Sequence, residues 1–535
     1  MPFIAFLLLT LCQFLSGYGI LTLFRIRLTT AFTITLSLLL GVAVASFVPF
    51  LLQLFYILLT GPLVFGALVL AALLLNIPTF LRIRREGFGT VRRSFIIGRF
   101  RLRPYEIPYL LILGFFVFVS VWRCYYLPPT SRDALSGPEA IAEYAVREHS
   151  MINSFFRVDL WSTNNPFKSP YLVSLQMIYK MAGFPFGQVW LSTIFISFTV
   201  FLYHALRQRV HPVIAGLLLL LLMMTPEMYA YTFMILYDYS NMVFFFLSLY
   251  FLFDYFNNRP SLAVPAGPIP AVPPADPAPA ASPGIPRQVY LSGLLMGIAT
   301  YIRSETLALS LLFVPLILLT QFREKVPVKK MLRTNALFIA PSLAAYYLTT
   351  QLYLKYYLPV HYDVGGLINT HLSDLHPLFQ RYGEIITRLL TGVFATHLWG
   401  YIQYIFAVLF LAELLFLRRF SREARNWLYA IAALYIGIGI LGWLLPMMNL
   451  LETTKRALFK LMPLFVLYLA CNGWVTRLSV WISRWEGTAV KRKPSPVIAE
   501  GTAKGKSSPG KGAGSPASQK GTASAASGGK SSSKK

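Results

Sequence analysis

The sequence predicts an all-α polytopic membrane protein, and three observations predict it. First, 56% of its 535 residues are hydrophobic and only 13% are charged, with a mean hydropathy of +0.59. A soluble domain carries about 25% charged residues, so an ordinary cytosolic globule is excluded. Second, about thirteen apolar runs approach the ~20 residues that a helix rising 1.5 Å per residue needs to cross a ~30 Å hydrocarbon core. Third, the basic residues fall in every second loop between those runs, the pattern that sets membrane orientation.

The runs lie near 3–24, 31–55, 58–80, 107–127, 189–206, 213–231, 237–256, 289–303, 305–321, 334–354, 392–416, 427–446 and 457–477. The first has no basic residues ahead of it, so it reads as a retained span and not a signal peptide. The pair 289–303 and 305–321 is split by Arg303-Ser304-Glu305, because charge in the middle of a lipid-facing helix costs several kcal/mol. The loop after the third run holds Arg82, Arg84, Arg85, Arg92, Arg93, Arg99, Arg101 and Arg103, which places it in the cytoplasm. Alternation from there puts four more basic loops on the same side: Arg25/Arg27, Arg207/Arg209, Arg323 to Arg333, and Arg418 to Arg425. The N-terminus is then expected outside and the C-terminus inside, in a plasma or inner membrane.

Three regions follow: residues 1–106, with the first spans and the basic loop; residues 107–480, the main membrane domain; and a basic tail, 486–535. Residues 257–287 are a Pro/Ala-rich cytoplasmic linker, extended and without a core. The tail of Lys, Ser, Gly, Ala and Pro buries too little apolar surface to fold. It reads as a solvated basic segment or as an attraction to anionic lipid. Net charge is +27, yet the basic residues sit between spans, so the expected partner is membrane lipid and not nucleic acid.

Chemistry-bearing residues gather on the expected outer face. Arg132-Asp133 closes the approach from the fourth run, just before Ser136-Gly137-Pro138-Glu139, which has the spacing of a capping box with proline in the first turn. The helix it opens, about 138–149, carries Ile141, Tyr144, Ala145 and His149 and is expected to lie amphipathically along the membrane surface. A carboxylate at such a boundary suits a general base, and equally a turn or cap residue. Asp238, in Tyr237-Asp238-Tyr239, tops another span, where function competes with an N-cap role. Arg303 and Glu305 read as substrate ligands or as an ion pair between helices. Lys455 and Arg456 before the last run suit a phosphate, or simple interfacial snorkelling.

His361, His371, His376 and His397 stand near Asp363 and Asp374, but at spacings that match no ligand motif. No cofactor is therefore expected, with a divalent metal left open as an alternative that the spacing does not support. The three cysteines, Cys12, Cys124 and Cys471, show no CxxC spacing. No phosphate-binding glycine loop is present, so ATP-driven transport has no visible machinery.

The order of these pieces resembles the GT-C superfamily of integral-membrane glycosyltransferases, the polyprenyl-phosphate-sugar-dependent mannosyltransferase and aminoarabinose-transferase type. Four stretches over about 107–475 carry the similarity: Arg132-Asp133-Ala134-Leu135, Asn165 to Tyr171, Leu217 through Thr225-Pro226 to Phe246, and Gly293 through Arg303-Ser304-Glu305; Lys455-Arg456-Ala457-Leu458 with Pro463 is a weaker fifth. The resemblance implies inverting transfer of a sugar from a polyprenyl-phosphate carrier to an outer-face glycan, lipid or protein. In that reading Asp133 is the base, Lys455 or Arg456 neutralises the departing phosphate, and Asp238 and Glu305 orient the acceptor or the cation, with Arg132 and Arg303 beside the substrate. Two other classes stay open. A lipid or glycolipid transporter would show inverted repeats and midplane charge pairs, and a noncatalytic scaffold would not need acidic residues at both span mouths.

Overall fold

A computed structural model describes residues 2–26, 28–86, 103–157, 168–257, 287–323, 325–359, 375–444 and 456–491. Among these there are helices and turns but no β-strand. Most of the Pro/Ala linker and of the basic tail, several loop arginines, His361, His371, Asp363, Asp374 and Lys455 lie outside the described residues. Met1–Arg484 form one compact unit, and Trp485–Lys535 a second, described only to the end of the last helix.

Among the described residues, eight helices are long and apolar enough to cross a membrane. In chain order the helices are α1 Pro2–Leu23, α2 Thr30–Leu54, α3 Gly61–Glu86, α4 Ile107–Tyr126, α5 Arg132–Leu135, α6 Pro138–Glu148, α7 Tyr171–Met181 and α8 Trp190–Arg207. Then come α9 Pro212–Met223, α10 Pro226–Ala230, α11 Tyr237–Asn257, α12 Arg287–Ile302, α13 Thr306–Leu311, α14 Val314–Arg323 and α15 Val328–Tyr346, the last running into a π-helical stretch, Tyr347–Tyr357. The rest are α16 Leu375–Val393, α17 Thr396–Trp399, α18 Ile402–Ala412, α19 Arg422–Leu444, α20 Met462–Cys471 and α21 Gly473–Lys491.

These helices are those of a multi-pass membrane protein, but 305–321 is interrupted between α13 and α14, and five more of the expected runs are not single long α-helices. The run 213–231 breaks before Thr225-Pro226, because proline at the first position of α10 cannot continue α9. The run 289–303 is the 16-residue α12, 334–354 passes from α to π geometry, and 392–416 is split around Gly400, whose φ is +62°. The last run bends by 56° between Cys471 and Gly473. The break is filled by buried Glu413, which accepts from Tyr468 Oη at 2.8 Å, Asn472 Nδ2 at 2.6 Å and the Gly473 amide at 3.0 Å.

Polar contacts gather the helix ends into two groups. At one end, Arg207 pairs with buried Glu106 at 3.1 Å, Arg209 with Glu423 at 2.6 Å, Arg287 donates to the Arg25 carbonyl at 2.8 Å, and Thr22 meets Thr79 at 2.8 Å. This end collects the basic loops. At the other, Tyr357 donates to the Leu54 carbonyl, Leu59 to that of His149, and Gln188 to that of Leu127.

The first hairpin depends on glycine at its closest approach. A Cβ on Gly41 would lie 1.8 Å from the Gln13 carbonyl oxygen, and one on Gly17 would lie 1.9 Å from that of Ser37. Small residues four apart allow such backbone contact in membrane helices, where packing drives association. Gly41→Val should therefore cost about 1–3 kcal/mol or more through overpacking and lower the Tm of the detergent-solubilised protein. Gly66→Ala, at a position with open space around it, is the control; equal Tm for the two variants would discard this account of the hairpin.

Candidate functional site

α11 is the central helix, and its register fixes one half of the site. Ser248 and Ser292 exchange hydrogen bonds with each other's carbonyls at 2.8 Å, and Asn241 Nδ2 donates to the Ala299 carbonyl at 2.7 Å and to Thr306 Oγ1 at 2.9 Å. About one turn further along, about 5 Å at 1.5 Å per residue, stand Asp238 on α11 and Arg303 just past the end of α12. These two pair, and Arg303 Nε also binds Glu305. α12 stops at Ile302 and α13 restarts at Thr306, so the charged cluster does sit at a helix break. Asp238 lies inside the first turn of α11 and is 3% exposed; its Oδ1 accepts from Arg303.

The other half comes from the segment after α4. Asp133 sits on the single turn α5, anchored by buried Ala134, and its Oδ2 accepts from Arg456 Nη1. The Ser136–Glu139 capping box does not form. Ser136 Oγ donates back to the Arg132 carbonyl at 2.8 Å, and Gly137 occupies the cap position. Glu139 instead turns to α7, where Lys180 Nζ lies 2.7 Å away and Gln176 Nε2 donates at 2.6 Å. Gln176 is itself held by Trp190 Nε1 at 2.8 Å. The expected amphipathic helix is present as α6, with Ile141, Ala142 and Ala145 buried. The Glu139 clamp on buried α7 positions it, and with it the Asp133 turn.

Both halves face one cavity of about 160 Å³ at the end of the bundle away from the basic loops. Asp133, Asp238, Arg303, Glu305 and Arg456 line it together with Lys168, Tyr237, Thr349 and Thr350 and the apolar Ile235, Leu236, Ile302 and Leu354. Of the residues singled out in the sequence, Arg132 does not belong here: its side chain is exposed and absent from the cavity wall, because α5 turns Asp133 and not its neighbour inward. Lys455 lies outside the described residues.

Sequence reasoning missed two lysines. Lys168 lies 5.9 Å from the centre of the Tyr237 ring, whose hydroxyl donates to the Ser169 carbonyl at 2.8 Å. Burial, with the Arg303 charge next, pushes its ammonium down to about 8. Lys460 is 3% exposed, one helical turn below Arg456, and interacts electrostatically with Arg303, Glu305 and Asp238. Its i, i+4 spacing from Arg456 was the available signal. Thr349 and Thr350 carried none, since only tertiary packing brings the π-helical stretch to the cavity.

Three cations, Lys168, Arg303 and Arg456, line the cavity against three carboxylates, Asp133, Asp238 and Glu305, and the buried Lys460 stands behind them as a fourth positive charge. With Lys460 included the balance favours an anion. Two polar atoms of cavity-lining residues, Thr350 Oγ1 and Arg456 Nε, are buried with no hydrogen-bond partner. Among the described residues no three His, Cys, Asp or Glu come together as a metal-holding group. No family model, no curated protein and no solved structure matches this chain.

Proposed function

We propose that this protein is a GT-C-like membrane glycosyltransferase that moves a sugar, with inversion, from a polyprenyl-phosphate carrier to a hydroxyl acceptor on the outer face. The observation that carries the reading is a cavity at the end of the bundle opposite the basic loops. It combines a carboxylate on a short turn, three cations backed by the buried Lys460, and an apolar wall. A lipid-linked phosphosugar has the matching parts: one anion, one polyol and one hydrocarbon chain. A donor that arrives through the lipid also explains why the sequence has no nucleotide-binding loop.

In this reading the acceptor oxygen attacks the anomeric carbon from the face opposite the phosphate. The new C–O bond forms as the bond from that carbon to the phosphate oxygen breaks, and the electron pair leaves with the phosphate. Asp133 takes the acceptor hydroxyl proton. Arg456 and Lys168 meet the charge that develops on the leaving phosphate, where a fixed cation acts without reorganisation. Arg303, held between Asp238 and Glu305, keeps a rigid polar edge for the sugar or acceptor.

The direct test reconstitutes the purified full-length chain in vesicles with a panel of polyprenyl-phosphate sugars and measures release of the carrier phosphate. No release with any donor across a panel of sugar, lipid and peptide acceptors would discard the reading. Arg456→Ala should raise the donor KM at least tenfold while moving the acceptor KM less; equal changes would remove Arg456 from the phosphate site.

Lys168 adds a pH signature. Its ammonium is charged at pH 7 and loses its proton as the pH rises through about 8. A phosphodiester keeps its single negative charge over that range. Donor KM should therefore rise several-fold between pH 7 and 9, the direction in which the cation is lost. Lys168→Met should show the higher KM already at pH 7 and a flat profile above it. A wild-type profile flat from 7 to 9 would take Lys168 out of donor binding.

A further inference from the structure

The two carboxylate–arginine units of the cavity are not equivalent, and the difference assigns them different jobs. The Asp238–Arg303 unit is fixed. Asp238 is 3% exposed on the first turn of the buried 21-residue α11, and Arg303 is held by a second carboxylate, Glu305. The Asp133–Arg456 unit is built to come apart. The two arginines are equally exposed, at 24%, but Asp133 is 25% exposed and rides on the four-residue turn α5. Pro128-Pro129 precedes that turn and Gly137-Pro138 follows it, with Ala134 as its buried anchor. Arg456 also carries a buried nitrogen, its Nε, that has no hydrogen-bond partner.

A carboxylate neutralised by an arginine is a weaker base toward an acceptor hydroxyl. An arginine whose charge is already met by a carboxylate attracts a phosphate less strongly. We infer that Asp133 and the donor phosphate exchange places on Arg456. In the resting protein Asp133 occupies the guanidinium as an internal stand-in for the phosphate. Donor binding transfers Arg456 to the phosphate oxygens and releases the Asp133 carboxylate toward the acceptor. The inference rests on the transferase reading for its chemistry, and it makes the order of binding a property of the fold, donor first and acceptor second. It also keeps the base idle until a leaving group is in place.

The test separates the exchange from the transfer. Binding of a polyprenyl phosphate, the spent carrier, is measured on the full-length protein in nanodiscs, with inorganic phosphate as a second probe. If the carboxylate competes for Arg456 most of the time, removing its charge relieves that competition, and Asp133→Asn and Asp133→Ala should each bind the polyprenyl phosphate about tenfold more tightly than wild type. Arg456→Ala should abolish the gain when combined with either. Unchanged or weaker binding in the Asp133 variants overturns the exchange. A kinetic arm on the wild type needs no variant: a nonreactive acceptor analogue should inhibit uncompetitively with respect to donor, as ordered binding requires, and noncompetitive inhibition overturns the order. Tighter binding without any sugar transfer by wild type would uphold the exchange and fail the transferase reading. Transfer without tighter binding would do the reverse.

Discussion

Asp133→Asn should lower kcat for sugar transfer by about 10²- to 10⁴-fold, the usual contribution of a positioned general base. The substitution keeps the shape of the side chain, and its amide oxygen still accepts from the Arg456 guanidinium, so α5 and its anchor Ala134 should stay in place. The variant should therefore insert, purify and melt like wild type. That combination distinguishes loss of a base from loss of a fold. Asp133→Glu is the informative partner: it retains the charge but moves the carboxylate by one methylene, and it should recover a measurable fraction of the rate. Transfer at the wild-type rate by Asp133→Asn would end the base assignment and leave Asp133 as a structural partner of Arg456.

How the sequence disclosed this site, and where it stopped, follows from what charge costs near a bilayer. Asp133, Asp238, Arg303, Glu305 and Arg456 each stand at the mouth of an apolar run, where a charge is expensive and so visible against its surroundings. The structure brings all five to one cavity. The same pattern drew in Arg132, because alternation along the chain cannot say which of two neighbours a single helical turn will face inward. Lys460 was hidden by standing inside a run that reads as a span, although its position one turn from Arg456 placed both on one helix face. Lys168 stood within a quoted stretch, but nothing local showed that the loop would carry it to Tyr237. The capping box failed because Glu139 has a better partner, the ammonium of Lys180 on a neighbouring helix, than the backbone amide of its own first turn. The long α-helices were legible because hydropathy reports length directly. Breaks such as those at Thr225 and Asn472 were not, since they leave hydropathy nearly unchanged while interrupting the hydrogen-bond ladder.

The largest expected effect on stability comes from Arg303→Met. This change leaves Asp238 nearly fully buried without its arginine and leaves Glu305 on the same cavity wall, two negative charges with one cation removed. Breaking a buried pair by deleting one partner costs about 3–5 kcal/mol, because the remaining charge stays desolvated. The Arg303 side chain is 24% exposed, so the lower end, about 3 kcal/mol, is the expectation. Lys460, already coupled to both carboxylates, offsets part of the loss and sets the direction of the next comparison. Asp238→Asn in the Arg303→Met background should restore stability, since the amide needs no counter-charge. The double variant should then melt above the Arg303→Met single variant, and the coupling between the two sites should be of order 1–3 kcal/mol. Adding Lys460→Met to Arg303→Met should do the opposite and deepen the loss. Thermal melts of five proteins in one detergent, wild type, Arg303→Met, Asp238→Asn and the two double variants, measure all of this. Additive effects would mean that the Asp238–Arg303 unit contributes no pairing energy, and the rigid edge assigned to it in the site would have to be sought elsewhere along α11.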